Sequence, residues 1–430
     1  MSTVNYEIRK AADSADLMMD GDVRPADLES VRPIPRISIH AFCETPEAQR
    51  VMERLASDRR MAKANMRVTA GNVSAAANMF SSTPTPNLII LETHAKPEDM
   101  LMELEPLAEV CDPNTRVIII GRYNDIALYR ELVRNGISEY LVHPVGMPEV
   151  LNAVAGIFVD PEAAPLGRSI AFIGAKGGVG ASTIAHNCAF GISSLFMTET
   201  VLADLDLPYG TANIDFDQDP ALGIAEAVFS PERLDEVFLD RLLTKCSEHL
   251  SLLAAPSLLD RAYDFDRSAF QPILEILQRT APISVLDVPH QWSEWTRTLL
   301  SEVDEVVITA IPDLANLRNT KNIIDALKKL RPNDKAPHLV LNQVGMPKRP
   351  EIAPADFFEP LEMEPIAIIP FDVQLFGNAA NSGRMIFEVD PRSPVAETFS
   401  QIAHVVTGRV VAKKQKKAGL ASVLAKLKKK

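Results

Sequence analysis

Residues 169–183 read S-I-A-F-I-G-A-K-G-G-V-G-A-S-T. A short apolar strand over 170–173 breaks into a loop, Lys176-Gly177-Gly178-Val179-Gly180. The chain then passes Ala181, Ser182 and Thr183 into a helix-compatible run, 184–190. Strand, glycine-rich loop and helix, in that order, are the context of a phosphate-binding loop. Glycines let backbone N–H groups turn inward around an anion, and the helix N-terminus adds partial positive charge. Ser182 falls where a hydroxyl ligates Mg²⁺. Two positions depart from the general pattern. Ala181 stands where a lysine usually precedes the Ser/Thr, and Ala175 stands where the first glycine is usual. An earlier lysine, Lys176, is present instead.

The run K-G-G-V-G-x-[ST]-T resembles the deviant Walker A motif of the MinD/ParA family of P-loop ATPases. The resemblance implies ATP with Mg²⁺, cradled by residues 177–183, and a homodimer in which Lys176 reaches the partner's nucleotide. Asp204-Leu205-Asp206, after a strand over 200–205, resembles the family's A′ motif. By that resemblance Asp206 positions the attacking water and Asp204 serves the water shell of the metal. Two carboxylates two apart on a strand point the same way. The apolar run 283–286 ends at Asp287, the Walker B pattern, whose Asp holds Mg²⁺ through water. A strand over 338–341 ends at Asn342. The family has an Asn there on the adenine, whose edge an amide can meet with both donor and acceptor; capping a turn is the other reading. Residues 371–381 resemble the second base-lining loop.

These motifs need a parallel sheet to bring their strand ends together. From Arg36 onward apolar strands (37–42, 87–91, 116–121, 140–142) alternate with helical stretches (46–57, 126–135), which predicts a first parallel-sheet domain. Its order and spacing resemble a response-regulator receiver. A working receiver needs an acidic pair, a phospho-accepting Asp, a Ser/Thr and a Lys before Pro. The matching places carry Glu44, Glu92, Gly121 and His143. Without the acceptor Asp and the lysine that would hold a phosphoryl group, the expectation is a receiver-like fold that transfers no phosphate, with Glu92 and His143 as exposed polar residues at strand ends. The fold class is therefore α/β, two doubly wound parallel-sheet domains. The boundaries are a disordered tail (1–35), a receiver-like domain (36–145), a helix and linker (146–168), an ATPase domain (169–408) and a basic tail (409–430).

Composition bounds the function. Hydrophobic residues are 47% and charged residues 23% of 430, ordinary for a chain with real cores. No eighteen-residue apolar run or apolar leader is present, which predicts a cytoplasmic protein. Cys43, Cys111, Cys188 and Cys246 lie far apart without metal-site spacing. Net charge is −13, but residues 413–430 hold eight lysines and no acid, so the rest carries −21. So acidic a body predicts no specific nucleic-acid partner. In the tail, Leu420, Val423, Leu424 and Leu427 fall on one helical face, a basic amphipathic helix for an anionic membrane surface or a docking partner.

Pro289-His290-Gln291-Trp292 after Asp287, and Ile311-Pro312-Asp313 after the strand 304–310, resemble the CpaE/TadZ pilus-assembly proteins, as does the domain order over 36–408. Trp292 and Trp295 are core residues or parts of a switch or an interface. The resemblance implies an ATP-binding, dimerising localisation factor of a Tad/Flp pilus secretion apparatus, with other pilus proteins as partners, often at a cell pole. Weak ATP hydrolysis is expected, because Ala181 replaces the P-loop lysine. The alternative is a MinD/ParA-like ATPase of division or partition, which the receiver-like front half opposes. Glu92 and His143 oppose a phosphorylated regulator.

Overall fold

The computed structural model describes residue 28, residues 31–160, 166–256, 259 and 262–409. The basic tail, with most of the N-terminal tail, lies outside the described residues. The chain divides into two compact units, Met1–Leu166 with Ala326–Ala336, and Gly167–Asp325 with Pro337–Lys430.

The first unit runs β1 (Ser38–Cys43), α1 (Pro46–Ala56), β2 (Asn65–Ala70), α2 (Val73–Phe80), β3 (Leu88–Glu92), α3 (Pro97–Ala108), β4 (Arg116–Gly121), α4 (Ile126–Arg134), β5 (Glu139–Val142) and α5 (Met147–Phe158). Its sheet is parallel throughout, in the order β2-β1-β3-β4-β5. Alternate residues of the central strands point to opposite faces. Ile39, Ala41, Ile90 and Ile118 join one apolar layer and Phe42, Ile89, Leu91 and Ile119 the other. Three sequence expectations need correction here. β2 went unseen because it is a half-exposed edge strand, N-M-R-V-T-A, with no apolar run. The helix at 147–158, grouped with the linker, packs into this core through Met147, Val150, Leu151 and Val154, spaced i, i+3, i+4, i+7. Of the stretch assigned to a disordered tail, Leu28, Val31 and Ile34 are buried in the same layer.

The second unit runs β6 (Arg168–Gly174), α6 (Ala181–Phe196), β7 (Thr200–Asp204), α7 (Ala212–Asp215), α8 (Ile224–Phe229), α9 (Glu236–Leu242), β8 (Thr244–Lys245), β9 (Leu250–Leu253), α10 (Gln271–Thr280), β10 (Ile283–Val288), α11 (Glu294–Glu302), β11 (Glu305–Ala310), α12 (Leu314–Leu330), β12 (His338–Val344), α13 (Pro354–Phe358), β13 (Ala367–Pro370), α14 (Val373–Asn381), α15 (Ile386–Val389) and α16 (Pro394–Thr407). The eight strands lie in the order β13-β12-β11-β6-β10-β7-β9-β8. Among the described residues only the β8–β9 pair is antiparallel. β6 is central, fully buried after its first residue, and flanked by β10 and β11. That arrangement puts the ends of β6, β7 and β10 side by side. Among the described residues no helix is long and apolar enough to cross a membrane.

The receiver-like pocket is closed from within. Glu92 is not exposed but 2% accessible. One carboxylate oxygen accepts the Glu44 and Thr45 backbone N–H groups, both at 2.8 Å, and the other accepts the Thr45 hydroxyl at 2.7 Å. It thus pins the start of α1 to the end of β3. His94 Nδ1 lies 3.0 Å from the Glu44 carboxylate, and burial pushes the Glu44 carboxyl up. At Gly121 a Cβ would stand 2.3 Å from the Tyr140 hydroxyl, so the glycine makes room for that ring. The Tyr140 hydroxyl donates to the Tyr123 carbonyl at 3.0 Å. Glu92→Ala should therefore destabilise this unit by roughly 3 kcal/mol, the scale of three lost hydrogen bonds at about 1 kcal/mol each. Urea-dependent hydrogen exchange in β1 and β3 measures it, and a loss below about 1 kcal/mol, the level of ordinary surface changes, would refute the pinning role. A small phosphodonor should leave the intact mass unchanged.

Candidate nucleotide-binding site

The loop after β6 is shaped by glycines and by amides from elsewhere in the unit. Gly178 and Gly180 take φ of 80° and 86°, the left-handed region, which side chains with a Cβ avoid. At Gly180 a Cβ would also stand 2.6 Å from Asn342 Nδ2. Three side-chain amides hold the loop's carbonyls: Asn319 Nδ2 donates to Ala175 at 2.9 Å, Gln343 Nε2 to Gly178 at 3.2 Å, and Asn342 Nδ2 to Val179 at 2.8 Å. In a planar trans peptide the next N–H points opposite to the carbonyl. Tying back these three carbonyls therefore turns the N–H groups of Lys176, Val179 and Gly180 the other way, toward an anion. Gly177 and Gly178 face open space, so an anion meets bare backbone there.

Lys176 is exposed. Burial works to raise the Asp313 carboxyl, but hydrogen bonds from Asn316 and the Lys176 charge outweigh it and hold Asp313 below its usual range. Ala181, Ser182 and Thr183 open α6, with Gly180 as its N-cap. Asp287 ends the buried face of β10, its Cα paired with that of Asp204 on β7. Both carboxylates are buried, Asp204 at 0% and Asp287 at 3% exposure. Burial first, and the Asp287 charge second, push Asp204 up to about 7. The two acids of the D-x-D pair do not share a strand. β7 stops at Asp204, whose carboxylate folds back to accept the Asp206 N–H at 3.1 Å and the Ala212 N–H at 3.2 Å. Asp206 lies beyond it, half-buried, accepting from the Tyr209 N–H. Alternation therefore does not relate them.

A cavity of about 430 Å³ opens beside the loop. Gly180, Thr183 and Asn342 form one wall, and Phe371, Val373 and Phe376 another. The sequence placed a loop over 371–381; most of it is α14, started by the Asp372 side chain accepting from the Leu375 N–H. Asn342 both clamps the loop and lines the cavity. The two tryptophans part company. Trp295 is buried against Phe270, ring centroids 4.4 Å apart, whereas Trp292 is 47% exposed.

Sequence reasoning passed over His186. It lies four residues after Ser182, one turn along the same helix face, and that spacing was the available signal. The ring is fully buried. Its Nδ1 is 2.7 Å from Asp215 Oδ2, and its Nε2 lies 3.3 Å from Asp287 Oδ2 without an aligned hydrogen bond. Burial opposes charge on this ring, but the Asp215 and Asp287 carboxylates outweigh it and push His186 up to about 10. The donor set suits Mg²⁺ beside a nucleotide: an oxygen at Ser182 and carboxylates at Asp287 and Asp204, hard ligands for a hard cation.

No family model and no curated protein matches the chain. Among solved structures it is similar to a pilus assembly protein CpaE from Caulobacter crescentus, 46% identical, covering 30% of this chain and 98% of that one, TM-score 0.29. A putative CpaE2 pilus assembly protein from Sinorhizobium meliloti is 36% identical, covering 28% of this chain and 99% of that one, TM-score 0.28. Both fall on the N-terminal part. A ParA family ATPase from Chlorobium tepidum is 22% identical, covering 55% of this chain and 98% of that one, TM-score 0.51. At that identity the likeness speaks for the fold of the rest of the chain alone. With 46% identity over nearly all of the Caulobacter structure, the chain belongs to the CpaE pilus-assembly family, and it carries a MinD/ParA-type P-loop fold behind that part.

Proposed function

We propose that this chain is a nucleotide-gated assembly or localisation factor of a pilus secretion system, binding ATP with Mg²⁺ and working as an ATP-stabilised homodimer. The observation that carries this reading is the loop whose carbonyls are tied back by Asn319, Asn342 and Gln343, with a 430 Å³ cavity beside it. A cavity of that size is within the range of small-molecule sites. Gly177, Gly178, Val179 and Gly180 offer N–H groups to phosphates, and Ser182 and Asp287 hold the cation, with Asp204 behind its water shell. Thr183 and Asn342 line the space for the base and sugar. Lys176 acts on the partner's nucleotide, and Asp206 orients the attacking water. Hydrolysis is slow, because Ala181 brings no charge to the β- and γ-phosphates. The receiver-like unit serves as a docking surface for pilus proteins, and the basic stretch 413–430 adds peripheral attraction to an anionic membrane.

Lys176→Ala should abolish the ATP-dependent dimer in sedimentation. Ala181→Lys should leave the dimer intact and raise turnover on the order of 10²-fold, the scale of one electrostatic group in a transition state. Turnover of the native chain should rise with protein concentration. Fast turnover independent of concentration would refute the reading. Removing residues 412–430 should cut co-sedimentation with phosphatidylserine vesicles, since each lysine near such a surface contributes about 1 kcal/mol. Equal sedimentation of the two chains would remove the membrane role.

A further inference from the structure

Asp204 and Asp287 stand side by side because their Cα atoms are paired across β7 and β10. The His186 ring approaches them from α6. One ligand atom from each of the three residues lies within 4.8 Å of the others, and all three residues are buried. With Nδ1–H donated to Asp215 at 2.7 Å, the other nitrogen, Nε2, is the ring atom turned toward the two acids, and it offers a lone pair to an ion once its proton leaves. That nitrogen is fully buried, 3.3 Å from Asp287 Oδ2, and has no hydrogen-bond partner. Two buried carboxylates converging on one nitrogen call for positive charge between them. A proton can serve only one of the two converging carboxylates; a metal ion serves both.

The spacing of the His186 and Asp287 atoms suits a metal. Two ligands about 2.0–2.1 Å from a tetrahedral ion lie about 3.4 Å apart, close to the separation of Nε2 and Oδ2. A carboxylate on the far nitrogen is what fixes the tautomer and orientation of metal-bound histidines, and Asp215 occupies that place. We propose that His186, Asp204 and Asp287 bind a divalent transition ion of the Zn²⁺ or Co²⁺ kind, with Asp215 as the residue that positions the imidazole. The nitrogen ligand favours such an ion over Mg²⁺. Asp287 has two oxygens, so Oδ2 serves this ion while the other faces the nucleotide's cation, as carboxylates do in two-metal sites. The site needs no nucleotide, and it goes beyond the function proposed above.

The test uses the full chain, stripped with chelator and free of nucleotide, titrated with Co²⁺. One equivalent should bind with visible d–d bands of a four- or five-coordinate ion and without thiolate charge-transfer bands, which would mark cysteine ligation. Zn²⁺ should displace it; Mg²⁺ at about a thousandfold excess should not, since imidazole favours the transition ion. His186→Asn should weaken binding at least about 100-fold, and Asp215→Asn about 10- to 100-fold with a shifted spectrum. If His186→Asn does not fold, the ring nitrogens of the native chain decide by ¹⁵N resonance. Loss of the Nε2 proton on adding Zn²⁺ supports the site, and an imidazolium that stays doubly protonated in excess Zn²⁺ overturns it. Co²⁺ bound equally by the native chain and His186→Asn also overturns it. Zn²⁺ binding by a chain that takes no ATP supports this site and removes only the nucleotide reading. MgATP binding by a chain whose His186 takes no ion overturns this site alone.

Discussion

A loop that is to hold an anion without a lysine beside it has its backbone to work with, and backbone N–H groups face inward only if the carbonyls are held outward. Three amides meet that constraint here. Asn342 and Gln343 come from the end of β12, and Asn319 from α12. They converge on Val179, Gly178 and Ala175. The sheet order makes this reachable, because β11 separates β6 from β12 by a single strand. Gly180 is forced twice over, by its positive φ and by the Asn342 amide that a Cβ would strike.

The same economy of buried polar groups organises the other strand ends. In the first unit the Glu92 carboxylate serves two N–H groups and a hydroxyl at the start of α1, so a buried polar group is paired within the fold. Tyr140 fills the space that Gly121 leaves. In the second unit Asp204 accepts from the N–H groups of its own turn and still stands within reach of Asp287 and His186, whose polar atoms face one another. The strand ends of the first unit's sheet are closed by hydrogen bonding; those of the second unit's sheet gather two buried acids around one imidazole.

Much of this was legible in the sequence. The central strands read as apolar runs because both their faces are buried, and the glycine-rich loop announced itself by composition. Asp287 was readable as the acid ending such a run. What the sequence hid has physical causes. β2 is an edge strand whose residues half face water, so no apolar run marks it. The D-x-D alternation fails because β7 ends at Asp204, two residues short of Asp206. His186 looked like one more helix residue, since its partners Asp215 and Asp287 are 29 and 101 positions away in sequence. Asn342 was read either at the base or capping a turn; its bond to Val179 depends on tertiary placement that no local pattern encodes.

The central claim is that a backbone cradle, held open by side-chain amides, binds a nucleotide where Ala181 stands in place of lysine. Calorimetric titration of MgATP into the native chain and into Asn342→Ala tests it most directly. The account predicts saturable binding at one site per chain, weakened at least about tenfold by the substitution, the equivalent of one buried hydrogen bond. Equal affinity in the two chains, or no binding to the native one, would contradict it.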